Sequence, residues 1–108
     1  MKRLIALLIA CCAQATLAAK PGVPNFDVGP SCRAGIEGTG QTRPMEQCLA
    51  QENSARAELE KGWSQFAGGD RTHCIAETAG FAPSYVELLA CLIISRDARA
   101  LEREATRR

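Results

Sequence analysis

The most informative segment of this chain is residues 84–95, with the sequence SYVELLACLIIS. Ser84 and Glu87 have the spacing of a capping box, in which two side chains bond the free amides that begin a helix. Almost every following residue up to Ile94 is apolar, on all sides of the predicted helix. Such a helix is normally buried on more than one side. The segment therefore predicts a buried helix of an all-α protein, starting after Ser84 and fraying near Thr106.

A longer amphipathic helix is predicted upstream of this segment. Thr42 can cap it, Pro44 suits its first turn, and Gly68-Gly69 is expected to end it. Side chains recur at three- and four-residue steps, which is the period of one helical face. The members of that face are Met45, Cys48, Leu49, Glu52, Ala55, Leu59, Trp63 and Phe66. All of them except Glu52 are apolar or small, so this face is expected to be buried.

Two shorter helices complete the predicted set. Ser31 is a plausible N-cap for a helical turn through Glu37, which the glycines of residues 38–40 should end. Asp70 is expected to cap a helix over residues 71–78. No strand-like alternation interrupts this pattern. The fold class is therefore predicted to be all-α, a small disulfide-stabilised bundle of two helical hairpins.

The N-terminus has the three parts of a secretory signal peptide. Lys2 and Arg3 precede an apolar run, and small residues follow at Ala18 and Ala19. We expect cleavage after one of these alanines, so that the protein is periplasmic or secreted. The alternative is a lipoprotein in which Cys11 is lipidated, although the apolar run before Cys11 is short. No second long apolar run follows, so we expect no integral membrane span in the mature chain.

The predicted organisation is a signal peptide over residues 1–19, an extended arm over 20–30 and a helical domain over 31–108. A cut after Ala19 leaves 89 of the 108 residues, a size at which a core is marginal without covalent staples. Removing Lys2 and Arg3 from the 13 basic side chains leaves 11 against 12 acidic ones. This balance argues against a dedicated nucleic-acid binder.

Four cysteines remain in the mature chain, at positions 32, 48, 74 and 91. In an exported chain they are expected to form two disulfides, and four cysteines allow three pairings. Cys32 and Cys48 are symmetric about the break at Gly40, and Cys74 and Cys91 are symmetric about the break at residues 80–83. In antiparallel hairpins, residues equally far from the turn lie level with each other. The spacing therefore favours Cys32–Cys48 and Cys74–Cys91.

The sequence offers no convincing catalytic, cofactor-binding or metal set. Zinc ligands usually come in close pairs, and the four cysteines lack that spacing. His73 and Cys74 are adjacent, so on a helix they point about 100° apart and converge poorly on one ion. Neither a Cys-x-x-Cys motif nor a phosphate-binding glycine loop is present. We therefore expect a protein that is not an enzyme and has no cofactor.

Two features suggest a surface for a protein partner. Trp63 and Phe66 either pack in the core against Phe81 and Tyr85 or form an exposed aromatic anchor. The last helix is apolar all round, and its neighbours cannot cover every side of it. The uncovered side is expected to form a homodimer or to bind an unknown protein partner. The residues predicted for this surface are Trp63, Phe66, Val86, Ile93 and Ile94.

The segment over residues 48–99 resembles uncharacterised small exported four-cysteine helical proteins of alphaproteobacteria. The matching residues are Cys48, Glu52, Trp63-Ser64-Gln65-Phe66, Asp70-Arg71, Cys74, Pro83–Leu89, Cys91 and Arg96-Asp97-Ala98. Residues 25–63 are similar to the helical module of LprI-type lysozyme inhibitors, where Cys32, Cys48, Leu59 and Trp63 are the matches. The second resemblance implies a Cys32–Cys48 bridge. The first implies no biochemical function.

We therefore expect a small exported helical protein with a non-enzymatic binding or envelope-associated role. The first alternative is an inhibitor of a cell-wall hydrolase such as lysozyme, which the similarity to LprI-type inhibitors implies. The second is a periplasmic chaperone-like protein that exposes its apolar last helix under stress.

Overall fold

The computed structural model describes residues 22–39, 45–80 and 82–108, with no side chains described at 37–39. These residues contain four α-helices and one short 3-10 turn, and no strand occurs among them. The helices are α1 (Gly29–Thr39), α2 (Met45–Gly62), α3 (Gly68–Ala79) and α4 (Tyr85–Thr106), and the 3-10 turn (Trp63–Gln65) follows α2. The predicted all-α fold is confirmed.

Several predicted features lie outside the described residues. They are the signal peptide over 1–19 with Cys11, the first two residues of the arm, the Thr42 cap with Pro44, the break at Gly40, and Phe81.

Two disulfides join the helices in the predicted pairs. Cys32–Cys48 links α1 to α2, and Cys74–Cys91 links α3 to α4, each with a Cα–Cα separation of 5.7 Å. The sequence separations are 16 and 17 residues. For loops of this length the chain-entropy model gives a stabilisation of about 3 kcal/mol each. Helices α2 and α4 pack against each other, so the two pinned pairs share one core.

The core lies where α2, α3 and α4 meet. Leu59, Leu88 and Leu92 are completely buried at its centre, together with the Cys74 side of one disulfide. The remaining core members are Ala55, Trp63, Phe66 and Tyr85. The buried positions of α2 coincide with the predicted face, so the three- and four-residue pattern identified the buried side of this helix.

Helix α4 is buried on one side only, although its composition predicts burial all round. Its buried residues are Tyr85, Leu88 and Leu92, at the spacing of a single helical face. On other sides, Val86 is 42% exposed and Ile94 is 69% exposed. The reason is that the helices packed on α4 are α2 and α3, which together cover only part of its circumference.

The one polar side chain on the buried face of α2 caps another helix. Glu52 is only 5% exposed. Its Oε1 accepts a hydrogen bond from Ser84 Oγ at 2.6 Å, and its Oε2 accepts from the backbone N–H of Tyr85 at 2.6 Å and of Val86 at 3.4 Å. The first amides of a helix have no partner within it and form the positive end of its dipole. The carboxylate of Glu52 therefore satisfies and neutralises the start of α4.

Ser84 caps α4 from within its own segment, as predicted. Its backbone is extended, with φ −151° and ψ 129°, and its hydroxyl accepts a hydrogen bond from the Glu87 N–H at 3.2 Å. The same hydroxyl donates to Glu52. Ser84 thus connects the local cap to the carboxylate on α2, and α4 begins at the point where the two helices touch.

The arm before α1 is attached to the start of α4 through Tyr85. The Tyr85 hydroxyl donates to the Pro24 carbonyl at 2.8 Å and accepts from the Phe26 N–H at 2.8 Å. The rings of Phe26 and Tyr85 lie 5.1 Å apart, and Val28 also packs on the core. The extended arm is therefore part of the folded body from at least Pro24 onward.

The start of α1 differs from the prediction. The helix begins at Gly29 within the predicted arm, and Asp27 Oδ1 accepts from the Gly29 N–H at 3.2 Å. Pro30 fits there because a first turn needs no N–H from it. Ser31 is therefore not the N-cap. Its hydroxyl instead donates to the Pro83 carbonyl at 2.6 Å, which ties α1 to the segment before α4.

The boundary between α2 and α3 also differs. The glycine pair Gly68-Gly69 predicts the end of α2, but these residues begin α3. The α-helix ends earlier, at Gly62, and the 3-10 turn carries Trp63 and Phe66 into the core. Phe66 and Ala67 are then extended, and Ala67 is the N-cap of α3. Burial of the two rings therefore decides where the chain turns.

Asp70 forms an ion pair in place of its predicted role as an N-cap. It lies inside the first turn of α3, and its carboxylate receives two hydrogen bonds of 2.7 Å from the Arg99 guanidinium on α4. The Asp70 side chain is 14% exposed. The hydrogen bond from Arg99 lowers the pKa of Asp70 below its usual value. This pair holds the outer half of α4 against α3.

Glu52→Gln is predicted to destabilise the fold by about 1.5–3 kcal/mol, because it replaces a charged acceptor by an amide whose NH2 group faces donors. Urea unfolding followed by circular dichroism measures the change. The control is Glu60→Gln, which removes an exposed pair with Arg56 and should cost less than about 0.5 kcal/mol. Equal effects of the two substitutions would contradict the capping role of Glu52.

Asp70→Asn is predicted to lower the melting temperature at neutral pH but not in acid. Because the folded-state pKa of Asp70 lies below its ordinary value of 3.8, the ion pair stabilises the fold above that pH and is lost as the pH falls through the lower value. Melting curves between pH 7 and pH 2 should therefore converge for the two proteins. Asp97→Asn, at an exposed pair with Arg96, is the control and should show little difference at any pH. A constant difference for Asp70→Asn would refute this assignment.

Candidate functional site

An open groove runs between α2 and α4 and is here called the α2–α4 groove. The volume of the groove is about 620 Å³. Ala50 and Ala55 line it from α2, and Val86, Leu89, Ala90 and Ile93 line it from α4. Pockets of this size that are mainly apolar are the usual binding sites of proteins. The groove is therefore the first candidate for a functional site.

The sequence of α2 explains why this groove is open. Where α2 faces Leu89 and Ile93, it presents the small side chains of Ala50, Ser54 and Ala55. Such side chains are too small to fill the space between α2 and α4 at this level. Elsewhere along the two helices, large core residues and the buried Glu52 carboxylate hold them together. The groove is thus built into the two best-anchored helices, and its shape does not depend on a loop.

The rim of the groove is polar and carries negative charge. Gln47, Gln51 and Ser54 are its neutral polar members. Among the described residues that line the groove, Glu58 is the only charged one and none is basic. Its chemistry therefore suits an apolar group that is flanked by a cation or by hydrogen-bond donors.

A second cleft of about 530 Å³ lies beside the two disulfides, with Cys48 and Cys91 among its lining residues. Three of its polar side chains form structural hydrogen bonds. Glu52 and Ser84 bond each other, and Ser31 bonds the Pro83 carbonyl. These side chains therefore serve mainly to hold the start of α4 in place. The α2–α4 groove is the better candidate for binding.

The structure separates the predicted partner-surface residues into two sets. Trp63 and Phe66 are buried in the core, so the prediction of an exposed aromatic anchor is wrong. The Arg71 guanidinium lies 5.6 Å from the Trp63 ring centre, and that of Arg96 lies 6.0 Å from the Phe66 ring centre. These cations cover the outer faces of the rings.

Val86, Ile93 and Ile94 remain accessible on α4. Val86 and Ile93 line the α2–α4 groove, whereas Ile94 lies beyond it and is exposed. Sequence reasoning missed the contribution of α2 to this site. The available signal was the set of small residues Ala50, Ser54 and Ala55, which is at helical spacing but does not stand out in an already alanine-rich helix.

Side chains with catalytic or metal-binding chemistry do not converge in the described part of the chain. His73 is exposed on α3, and its neighbour Cys74 is bonded to Cys91. Residues 22–39, 45–80 and 82–108 contain no group of three or more metal-ligating side chains. Within those same ranges, no helix combines the length and apolar character needed to cross a bilayer.

Comparison with known proteins yields no relative for this chain. No family model, no curated protein and no solved structure matches it.

Proposed function

We propose that this chain is a small exported binding protein without enzymatic activity, which accepts an amphipathic segment of a protein partner in the α2–α4 groove. The observation that carries the proposal is an open apolar groove between α2 and α4, two helices that the buried Glu52 carboxylate joins directly. Grooves of this kind receive the apolar face of a helix as a row of anchoring side chains.

Two observations support a location in the periplasm or outside the cell. The chain begins with a segment that has the charge, apolar run and small residues of a signal peptide. The structure contains two intramolecular disulfides, which persist in oxidising compartments and are rare in the cytosol. A binding protein that is pinned in this way keeps its groove open without a large core.

The lining of the groove defines the chemistry of the partner. A volume of about 620 Å³ holds a few large side chains, not a whole helix. Leu89 and Ile93 favour aliphatic or aromatic anchors, and Glu58 favours a lysine or arginine beside them. The proposed partner segment is therefore an amphipathic helix with two or three apolar anchors and a basic residue one turn away.

A second candidate is inhibition of a cell-wall hydrolase such as lysozyme. The Cys32–Cys48 bridge supports it, because the similarity to LprI-type inhibitors implies a disulfide at this place. A turbidity assay of wall lysis, with and without the purified oxidised protein, tests this candidate. Unchanged lysis at a large molar excess of the protein would remove it.

The export part of the proposal predicts a processed and oxidised protein. After expression of the full chain in a Gram-negative host, intact-mass measurement of the periplasmic fraction should show an N-terminus next to Ala18 or Ala19 and no free thiol. The same mass after alkylation without reduction is the control for oxidation. A cytosolic protein with four free body thiols, or one lipidated at Cys11, would contradict this part.

Ile93→Glu is predicted to abolish binding of the partner without unfolding the protein. The substitution places a charge on the apolar floor of the groove, at a position that is only partly buried. Proteins cross-linked to the wild type in living cells are identified by mass spectrometry and compared with those of the variant. The expected result is a defined partner that the Ile93→Glu protein loses by at least about tenfold, as expected for an interface centre.

The matched control is Ala76→Glu, which adds the same charge at an exposed position of α3 away from the groove. It should retain the partner, and circular dichroism should show both variants folded. Identical cross-linking by wild type and Ile93→Glu would reject the groove as the binding site. Cross-linking of no defined partner by the wild type would reject the proposed function.

A further inference from the structure

The outer face of α4 carries an uninterrupted apolar stripe. Its members are Ala90, Ile94, Ala98, Leu101 and Ala105, at steps of three and four residues, and all five are exposed. Ile94 is 69% exposed and Leu101 is 67% exposed. At 100° per residue these five positions fall within one narrow sector of the helix. Within the described part of the chain, the large apolar side chains that are exposed all belong to α4.

Opposite charges lie at the two ends of this α4 stripe. Glu87 occupies the same sector one turn before Ala90, and Arg108 occupies it one turn after Ala105. The helix ends at Thr106, but Arg107 keeps a helical backbone conformation, with φ −85° and ψ −9°. Arg108 therefore lies on the side of the helix axis that a continued helix would give it. The stripe is therefore apolar along its length, with Glu87 at one end and Arg108 at the other, where the Arg108 guanidinium also lies 3.9 Å from the exposed Glu104 carboxylate of its own helix.

We propose that a second copy of this chain covers the α4 stripe, with the two α4 helices antiparallel. Four of the five stripe positions are symmetric about a point between Asp97 and Ala98, and the fifth, Ala98, then lies beside Asp97 of the partner subunit at the two-fold axis. In that register Ile94 meets Leu101 of the partner subunit, and Ala90 meets Ala105 of the partner subunit. Glu87 then meets Arg108 of the partner subunit. Each of these contacts occurs twice, as two-fold symmetry requires.

The charge pattern selects the antiparallel arrangement. A parallel pair would place Glu87 against the same residue of the partner subunit, and Arg108 likewise, which is repulsive at both ends. The antiparallel pair places opposite charges together at both ends over a contact length of about 30 Å. The small alanines of the stripe allow the two helices to approach closely. Asp97 flanks the centre of the stripe, and the guanidinium of Arg96 offsets its charge at 3.2 Å.

The position of the folded body also permits this arrangement. The core contacts of α4 end near Leu92, and Ser95 lies 3.8 Å from the Cys74 sulfur. Beyond that point, the Arg99 side chain of α4 donates a hydrogen bond to Asp70 on α3. The α4 stripe lies on a different side of the helix from Arg99. In the antiparallel pair the two bodies therefore lie at opposite ends and do not collide. The α2–α4 groove lies on an adjacent side of α4 and shares Ala90 with the α4 stripe, whereas Ile94 and Leu101 at the centre of the proposed contact are not among its lining residues.

Sedimentation equilibrium of the oxidised mature protein tests the proposal. The wild type should show a reversible monomer–dimer equilibrium, and Leu101→Glu should raise its dissociation constant by at least about 30-fold, the effect of a central interface residue. The matched control is Ala100→Glu, about 100° away from the stripe, which should leave the dissociation constant within about threefold. Circular dichroism confirms the fold of both. A wild type that stays monomeric at millimolar concentration, or a dimer that Leu101→Glu leaves intact, would overturn the proposal.

A charge-exchange series tests the antiparallel register. Glu87→Arg alone and Arg108→Glu alone should each weaken the dimer, because each creates two repulsive contacts. The chain with both substitutions should regain most of the wild-type dissociation constant, since opposite charges face each other again. Failure of the double variant to recover, with a dimer that still needs Leu101, would reject this register.

Discussion

A buried carboxylate at the beginning of a helix is the constraint on which this small fold depends most. Glu52 projects from the middle of α2 and bonds the first amides of α4 together with the capping hydroxyl of Ser84. A buried charge is costly unless it is fully paired, so α2 and α4 have little freedom to slide or rotate past each other. This contact fixes how α2 and α4 lie against each other, and the small side chains of α2 then leave the groove between them open.

The two disulfides and the aromatic residues complete what this contact begins. Cys32–Cys48 and Cys74–Cys91 each restrict one pair of neighbouring helices, but neither bridge joins the first pair to the second. That connection is made by the apolar core, by Glu52 and by the bond from Ser31 to Pro83. The disulfides reduce the conformational freedom of the unfolded chain. The noncovalent contacts determine how the two disulfide-linked helix pairs lie relative to each other. The result is a scaffold that can leave part of its longest helix uncovered.

Local signals in the sequence were sufficient for much of the fold. The cysteine spacing gave the pairing, and Ser84 marked the start of α4, because both depend on residues close together in the chain. Glu52 appeared only as an exception to an apolar face, since its partners lie more than thirty residues away. The turn at Trp63 was missed for a related reason: Gly68-Gly69 is a common helix end, but burial of Trp63 and Phe66 ends α2 sooner.

The candidate site was predictable on one side only. The apolar composition of α4 indicated an uncovered surface, and Val86, Ile93 and Ile94 are at least partly accessible. The aromatic cluster of Trp63 and Phe66 was ambiguous, because an aromatic pair has the same pattern whether it fills a core or anchors a partner. Composition could not show which side of α4 the neighbouring helices cover. That depends on the packing angle of α2, which a contact between distant residues determines.

The most direct test of this account is a double-mutant cycle between Glu52 and Ser84, which uses the unfolding free energies of Glu52→Gln, Ser84→Ala and the double variant. We expect a coupling energy of at least about 1 kcal/mol, because the two side chains share one buried hydrogen-bond network. A coupling energy near zero, together with a loss from Glu52→Gln no larger than that from the exposed control Glu60→Gln, would show that the carboxylate does not hold α4 in place.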